Sequence, residues 1–343
     1  MKNLLFLHQN WTFRQKDQGE WLPATVPGVV HTDLLANRRI GDPFFGTNEL
    51  ELQWIEDQDW EYRTVFSLPA DWLSRQHVEL VFKGLDTYAS VYLNDKRVLE
   101  ANNMFREWRA EVGTLLNTDQ NELRVSFRSP IREDLPKKQQ LPYELPAGGD
   151  QGQKTSPFTR KAPYHFGWDW GPRFVTCGIW QPVYLEAWDA ARIRQVQIVA
   201  RGIQPEKATV KVRVEIEADS AGSARLWAGT AEGEVTTARE IRLAPGKQTH
   251  ELMLEIANPR LWFPRGYGEQ ALYRFVIKLS DGAQLLDETV VRTGLRTLEL
   301  RREQDEWGES FMFIVNGIPV YAKGANWIPA DNFLPRVTRR RYR

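Results

Sequence analysis

Apolar and polar positions alternate most cleanly between Val210 and Ile216. There Val210, Val212, Val214 and Ile216 are separated by Lys211, Arg213 and Glu215, the period of a strand with one buried face. Shorter runs of the same kind precede it. Val78 to Phe82 and Ala89 to Leu93 read as strands, the second turning at Asn94-Asp95 into Arg97-Val98-Leu99. Leu123, Val125 and Phe127 alternate with Glu122, Arg124 and Ser126, and strand character returns from Gly178 to Leu185. Beyond Ile216 the strand-like stretches are Ile241 to Leu243, His250 to Ile256, Leu272 to Leu279 and Glu288 to Arg292. Phe311 to Val315 and Pro319 to Ala322 flank Asn316-Gly317, a strong hairpin signal. Only Arg339 to Arg343, behind Thr338 as N-cap, read as the start of a helix. Leu135 to Pro157, rich in Pro, Gly and Gln, carries neither period and reads as a long loop inserted between strands.

These blocks predict a mainly β chain of two sandwiches and a third piece. Residues 1–190 form the first sandwich and 191–295 a second of immunoglobulin size. Residues 296–343 hold a strand, a loop and a helix start, the opening of a larger α/β domain. The length of 343 residues allows about two or three domains. Lys and Arg number 45 and so do Asp and Glu, so no overall field draws nucleic acid or an anionic membrane. Arg339-Arg340-Arg341 accordingly reads as a helix face rather than a nucleic-acid tail. Cys177 is the only cysteine and excludes an internal disulfide. His8, His31, His77, His165 and His250 lack paired ligand spacing, so no metal or other cofactor is expected. The opening apolar run is too short for a signal peptide, and no stretch approaches a membrane span. A reducing cytoplasm and a neutral or small partner are the expectation.

Candidate chemistry concentrates in Tyr164-His165-Phe166-Gly167-Trp168-Asp169-Trp170-Gly171-Pro172-Arg173. Glycines and a proline mark it as a loop. Indole faces suit the apolar C–H faces of a sugar, and a carboxylate accepts from its hydroxyls. The alternative is a structural corner in which the aromatics plug the end of a sandwich and Asp169 satisfies loop amides. A short acidic side chain between two indoles is awkward to bury without a partner, which favours the sugar contact.

Several separated motifs resemble the N-terminal part of the β-mannosidases of glycoside hydrolase family 2. They are Val26-Pro27-Gly28 with His31-Thr32-Asp33-Leu34-Leu35 and Asp42-Pro43-Phe44; Phe166 to Arg173 with Gly178-Ile179-Trp180; Leu261-Trp262-Phe263-Pro264, Gly266-Tyr267-Gly268 and Gln270; Gly294-Leu295-Arg296; and Lys323 to Pro329. The resemblance implies a jelly-roll sugar-binding domain over 1–190, an immunoglobulin-like β-sandwich over 191–295, and the truncated beginning of a (β/α)8 catalytic barrel over 296–343. Such a barrel needs about 250 residues. The implied activity is exo-acting retaining hydrolysis of terminal non-reducing β-D-mannose, with two barrel glutamates that lie beyond Arg343. The chain itself is then expected to be inactive. Glu299, Glu303, Glu306 and Glu309 read as a solvated face and receive no catalytic role. Carried over as substrate contacts are Trp168 and Asp169, together with Asn326 and Trp327 just after the first barrel strand. A cap beneath the site is an equal reading for the latter two. Rival readings are a self-standing carbohydrate-binding protein or another family 2 activity, such as a β-galactosidase or β-glucuronidase.

Overall fold

The computed structural model describes every residue except Trp170, the second indole of the Trp-Asp-Trp motif, which lies outside the described residues. The chain is mainly β and divides by contact into two compact units. One combines Asn3–Ala187 with Trp327–Arg343; the other comprises Trp188–Asn326 with Met1–Lys2.

The first unit contains β1 (Asn3–Phe6), β2 (Thr12–Gln15), β3 (Leu22–Pro23), β4 (Trp60–Phe66), β5 (His77–Phe82), β6 (Tyr88–Leu93), β7 (Lys96–Asn102), β8 (Trp108–Glu111), β9 (Asn121–Arg128) and β10 (Val183–Trp188). A four-stranded sheet runs in the order β1-β10-β5-β8 and a six-stranded sheet in the order β3-β2-β4-β9-β6-β7. Their facing side chains make one core, in which Tyr62 and Val125 stand opposite each other on antiparallel β4 and β9. Gly178 to Leu185 is a strand only from Val183. Gly178 makes a single bridge to Asp86, and Pro182 has no N–H to extend the ladder.

Three helices sit where no period announced them. Helix α1 (Val30–Ala36) buries Val30, His31, Asp33 and Leu34, so it shows no polar stripe. Asp33 accepts from Thr25 N at 2.9 Å and Tyr62 Oη at 2.8 Å, while burial pushes its carboxyl up to about 7. Short α2 (Asn48–Glu51) leads into a 3-10 turn at Gln53–Asp57. Helix α3 (Pro130–Gln139) takes up the start of the passage expected to be loop. Ser129 caps it by accepting from Arg132 N, and Pro130 occupies the first turn, where no N–H is needed.

The second unit contains β11 (Ala191–Ile203), β12 (Lys207–Ala218), β13 (Gly222–Thr230), β14 (Thr236–Leu243), β15 (Gly246–Ala257), β16 (Tyr273–Asp281) and β17 (Gln284–Thr293). Sheets β11-β12-β15 and β14-β13-β16-β17 enclose its own core. The alternation along β12 is the burial pattern: Val210, Val212, Val214 and Ile216 face the core, and Lys211 pairs with Glu251 at 2.8 Å on the other face. Then β18 (Leu298–Arg301), β19 (Met312–Val315) and β20 (Ile318–Val320) form a three-stranded antiparallel sheet. The hairpin turn falls at Asn316-Gly317 with φ of 50° and 78°, a left-handed pair that Asn-Gly adopts at low cost. Glu299, Glu303, Glu306 and Glu309 are exposed, Glu299 paired with Arg301 at 3.1 Å.

Lys323 to Pro329, which resembles a first barrel strand, carries no strand pairing in this structure. The following tail belongs to the first unit and packs on it in part, while Trp327, Ile328 and Tyr342 stay exposed. Phe333 is fully buried against His31, Phe44 and Phe174, with ring centroids at 5.2, 5.7 and 5.5 Å. The terminal α4 (Arg339–Tyr342) is capped by Thr338, and its Arg341 pairs with buried Asp331 at 2.6 Å.

Candidate functional site

The motif loop is anchored at both ends and projects at its tip. A 3-10 turn at Pro163–Phe166 buries His165 and Phe166. Phe166 packs with Ile131 and Val175, and the carbonyl of Asn332 lies 2.9 Å from His165 Nε2. Below this turn, Lys161 Nζ donates to Asp86 and to the Thr176 carbonyl, all of it buried. Burial draws Lys161 below the ordinary lysine range and Cys177 well above the ordinary thiol range. These groups form a floor rather than a surface. The chain then turns tightly, Trp168 N donating to Gly171 O at 3.3 Å. Trp168 is 44% exposed and Asp169 is exposed. The desolvation argument from the sequence therefore does not apply to Asp169, whose carboxylate stands in water.

Trp168 and Asp169 form a shared wall of two adjoining clefts. The larger, about 680 Å³, is lined also by Phe44, Glu49, Gln53, Glu56, Gly152 and Arg173. The smaller, about 480 Å³, is lined by Pro146 to Asp150, Ser156, Pro157 and Pro163. Both volumes are in the range of small-ligand sites. An indole beside several carboxylates provides an apolar plate with acceptors at its margin, the chemistry that suits a polyhydroxylated ring.

The residues holding this cleft together were not visible as a set in the sequence. Arg173 N donates to Glu49 Oε1 at 2.7 Å, and Gln53 Nε2 donates to the Arg173 carbonyl at 2.9 Å. The Arg173 guanidinium reaches Gln53 Oε1 at 2.6 Å and the Glu56 carboxylate. Burial pushes the Glu56 carboxyl up to about 7, against the attraction of Arg173. Arg173 itself was quoted as part of the motif; its partners lie more than 100 positions earlier, and no spacing rule reaches that far.

Asn326 and Trp327 are not among the residues lining either cleft. Both are exposed, Trp327 at 73% with its ring 6.2 Å from that of Tyr342. Among the described residues no group of three or more His, Cys, Asp or Glu is arranged to hold a metal ion, and no helix is long and apolar enough to cross a membrane.

The family pattern described as "Glycosyl hydrolase 2 galactose-binding domain-like" matches residues 11–181, and that described as "Glycosyl hydrolases family 2" matches 191–296. Curated relatives include beta-mannosidase B of Thermothelomyces thermophilus, 38% identical over 98% of this chain, and that of Aspergillus fumigatus, 36% identical. The chain spans about 40% of the length of these relatives. Among solved structures, the beta-D-mannosidase from Dictyoglomus thermophilum superimposes with a TM-score of 0.94 at 40% identity, covering 99% of this chain and 42% of that one. An exo-chitosanase from Amycolatopsis orientalis, at 19% identity and a TM-score of 0.71 over 97% of this chain and 38% of that one, shares the fold. With one family pattern on each of its two sandwiches and β-mannosidases aligned along nearly its whole length, the chain belongs to glycoside hydrolase family 2 and carries that family's N-terminal β domains.

Proposed function

We propose that this chain is the N-terminal part of an exo-acting retaining β-mannosidase, and that Trp168 and Asp169 contact the terminal β-D-mannose. The observation that carries the reading is the placement of an exposed indole and carboxylate at the tip of an anchored loop between two clefts. It stands in a chain 40% identical to a beta-D-mannosidase. In this reading the indole stacks on a sugar face while Asp169 accepts from ring hydroxyls. Asn326 and Trp327 are assigned as contacts from the barrel side on the strength of the family resemblance. A retaining displacement needs an acid/base and a nucleophile about 5 to 5.5 Å apart, which we assign to the part of the relatives' length that this chain does not match. Residues 296–343 are then the approach to that catalytic barrel. A reducing cytoplasmic setting is part of the proposal, supported by the single buried thiol, Cys177.

Two measurements test this. The chain alone, given p-nitrophenyl β-mannoside at high concentration, should show no turnover; activity that survives repurification would overturn the assignment of the catalytic carboxylates. In the longer protein, Asp169→Ala should lower kcat/KM on β-mannosides by roughly 10- to 100-fold, the loss of a charged hydrogen bond of about 1.5 to 3 kcal/mol. Wild-type kcat/KM with an unchanged Tm would end the sugar-contact reading.

A further inference from the structure

We propose that Arg173 is the positioning residue of the Trp168–Asp169 loop, one guanidinium tying together three separate segments of the cleft wall. The proposal rests on the sugar-contact reading only for what the loop does, not for how it is held. Arg173 closes the loop two residues after Gly171. Toward one wall its Nη1 donates to Gln53 Oε1 at 2.6 Å and to Glu56, while its backbone N–H donates to Glu49 Oε1 at 2.7 Å. Toward the other its Nε pairs with Asp150 Oδ1 at 3.5 Å. Asp150 in turn shapes its own segment, accepting from Gly152 N at 3.0 Å and Ser156 N at 3.2 Å.

The approach at Gly152 shows how closely these parts fit. A Cβ there would stand 2.4 Å from Arg173 Nη2, so a larger residue would have to displace the guanidinium from this place. Buried Nη2 has no hydrogen-bond partner among the described residues. A buried cation with donors unspent is retained at a cost, here offset by the geometry it imposes on three segments. Arg173 holds the loop through Glu49, Gln53, Glu56 and Asp150, and it also lines the larger cleft.

A titration follows from the same geometry. Arg173 faces Glu56 from the loop, Asp150 from the segment beneath it and Asp57 from the adjacent position, while Glu49 holds the Arg173 amide. With its carboxyl at about 7 in the closed cleft and an ordinary value near 4.5 when opened to water, Glu56 favours opening as pH rises between those values. The latch is tightest when Glu56 is protonated, and the bias toward opening grows up to tenfold per pH unit until about 7.

Hydrogen exchange of this chain between pH 5 and 8, corrected for intrinsic rates, tests the inference in wild type, Arg173→Gln, Arg173→Lys and Glu56→Gln. In the wild type, protection of residues 149–153 and 167–173 should fall as pH rises to about 7. Glu56→Gln should abolish that dependence. Arg173→Gln should speed exchange in the same segments by about tenfold or more, leave β4 and β9 unchanged, and move the transition to higher pH; Arg173→Lys, which keeps the charge, should leave the transition near 7. Unchanged exchange in Arg173→Gln, an equal rise across β4 and β9, or a pH dependence that persists in Glu56→Gln would overturn it. Should Arg173→Gln not fold, the wild-type and Glu56→Gln series still decide. Two readouts separate the readings. Wild-type kcat/KM for Asp169→Ala in the longer protein, with the exchange pattern present in this chain, defeats the sugar contact and leaves the role of Arg173 standing. A lowered kcat/KM for Asp169→Ala with equal loop exchange in wild type and Arg173→Gln does the reverse.

Discussion

His31 lies between Phe333 and Phe174 with no hydrogen-bond partner for Nδ1 among the described residues. Burial, helped by Lys161, draws its pKa down to about 3, and His165 is likewise held well below the ordinary range by burial. Both are neutral in the fold. Below their unfolded value near 6.5, only the unfolded chain takes up these protons. His31 therefore contributes stability that is complete above about 6.5 and is lost toward pH 3, at about 1.4 kcal/mol per pH unit, and His165 acts in the same direction. Asp33 and Glu56, raised to about 7 by burial, act in the opposite sense. The fold keeps protons that the unfolded chain has lost, so their contribution is present in acid and disappears as pH rises from about 4 to 7. Between about pH 4.5 and 6.5 the two pairs oppose each other; below about 4 the histidines still respond, together with Glu107 and Asp331, whose carboxyls are held below the ordinary range. Urea midpoints should thus vary less from pH 5 to 6.5 than under 4. His31→Phe, which strands no hydrogen bond at Nδ1, should reduce that acid slope. An unchanged slope in the variant would exclude His31 as a source.

Elements were legible where one face meets water. The alternation in β12 coincides with its burial, and Asn316-Gly317 marked its hairpin because both residues tolerate positive φ. Strand β4 escaped notice because polar Thr64 takes an inward position and apolar Val65 an exposed one, which breaks the period after Trp60-Glu61-Tyr62-Arg63, while Glu61 is held on the other face by Arg14 at 2.8 Å and Arg124 at 3.2 Å. Helix α1 is buried on too many sides to show a stripe. Helix α3 was hidden in a Pro-rich passage, although Ser129-Pro130 is an N-terminal signature that could have revealed it. At the cleft, the indole and carboxylate of Trp168 and Asp169 could be read from local composition, whereas Glu49, Gln53, Glu56 and Asp150 gained meaning only through their distance to Arg173. The tail was the hardest, since Phe333 finds His31, Phe44 and Phe174 only after folding. We expect Phe333→Ala to cost about 3 to 5 kcal/mol and to strip exchange protection from Asp331 to Arg336. A loss under 1 kcal/mol would show that the tail contributes little to its unit.

At the scale of the whole molecule, each unit closes its own core, one containing Val212 and Ile216, the other Tyr62 and Phe127. Ile216→Ala should therefore cost about 2 to 5 kcal/mol and move one calorimetric transition while leaving the other in place; a common shift of all unfolding would indicate a single cooperative block. The unit built from Asn3–Ala187 is discontinuous, because Trp327–Arg343 returns to it after all of Trp188–Asn326. This order matters while the chain is being made. At about 5 to 20 residues per second, the ribosome needs on the order of ten seconds to pass from Ala187 to Phe333. Throughout that interval His31, Phe44 and Phe174 form an aromatic socket without its plug, while the strands of the intervening unit can already pair. Codon choice across Trp188–Asn326 thus sets how long a nascent chain stays open to chaperones or to aggregation, through a segment that is no part of the unit left waiting.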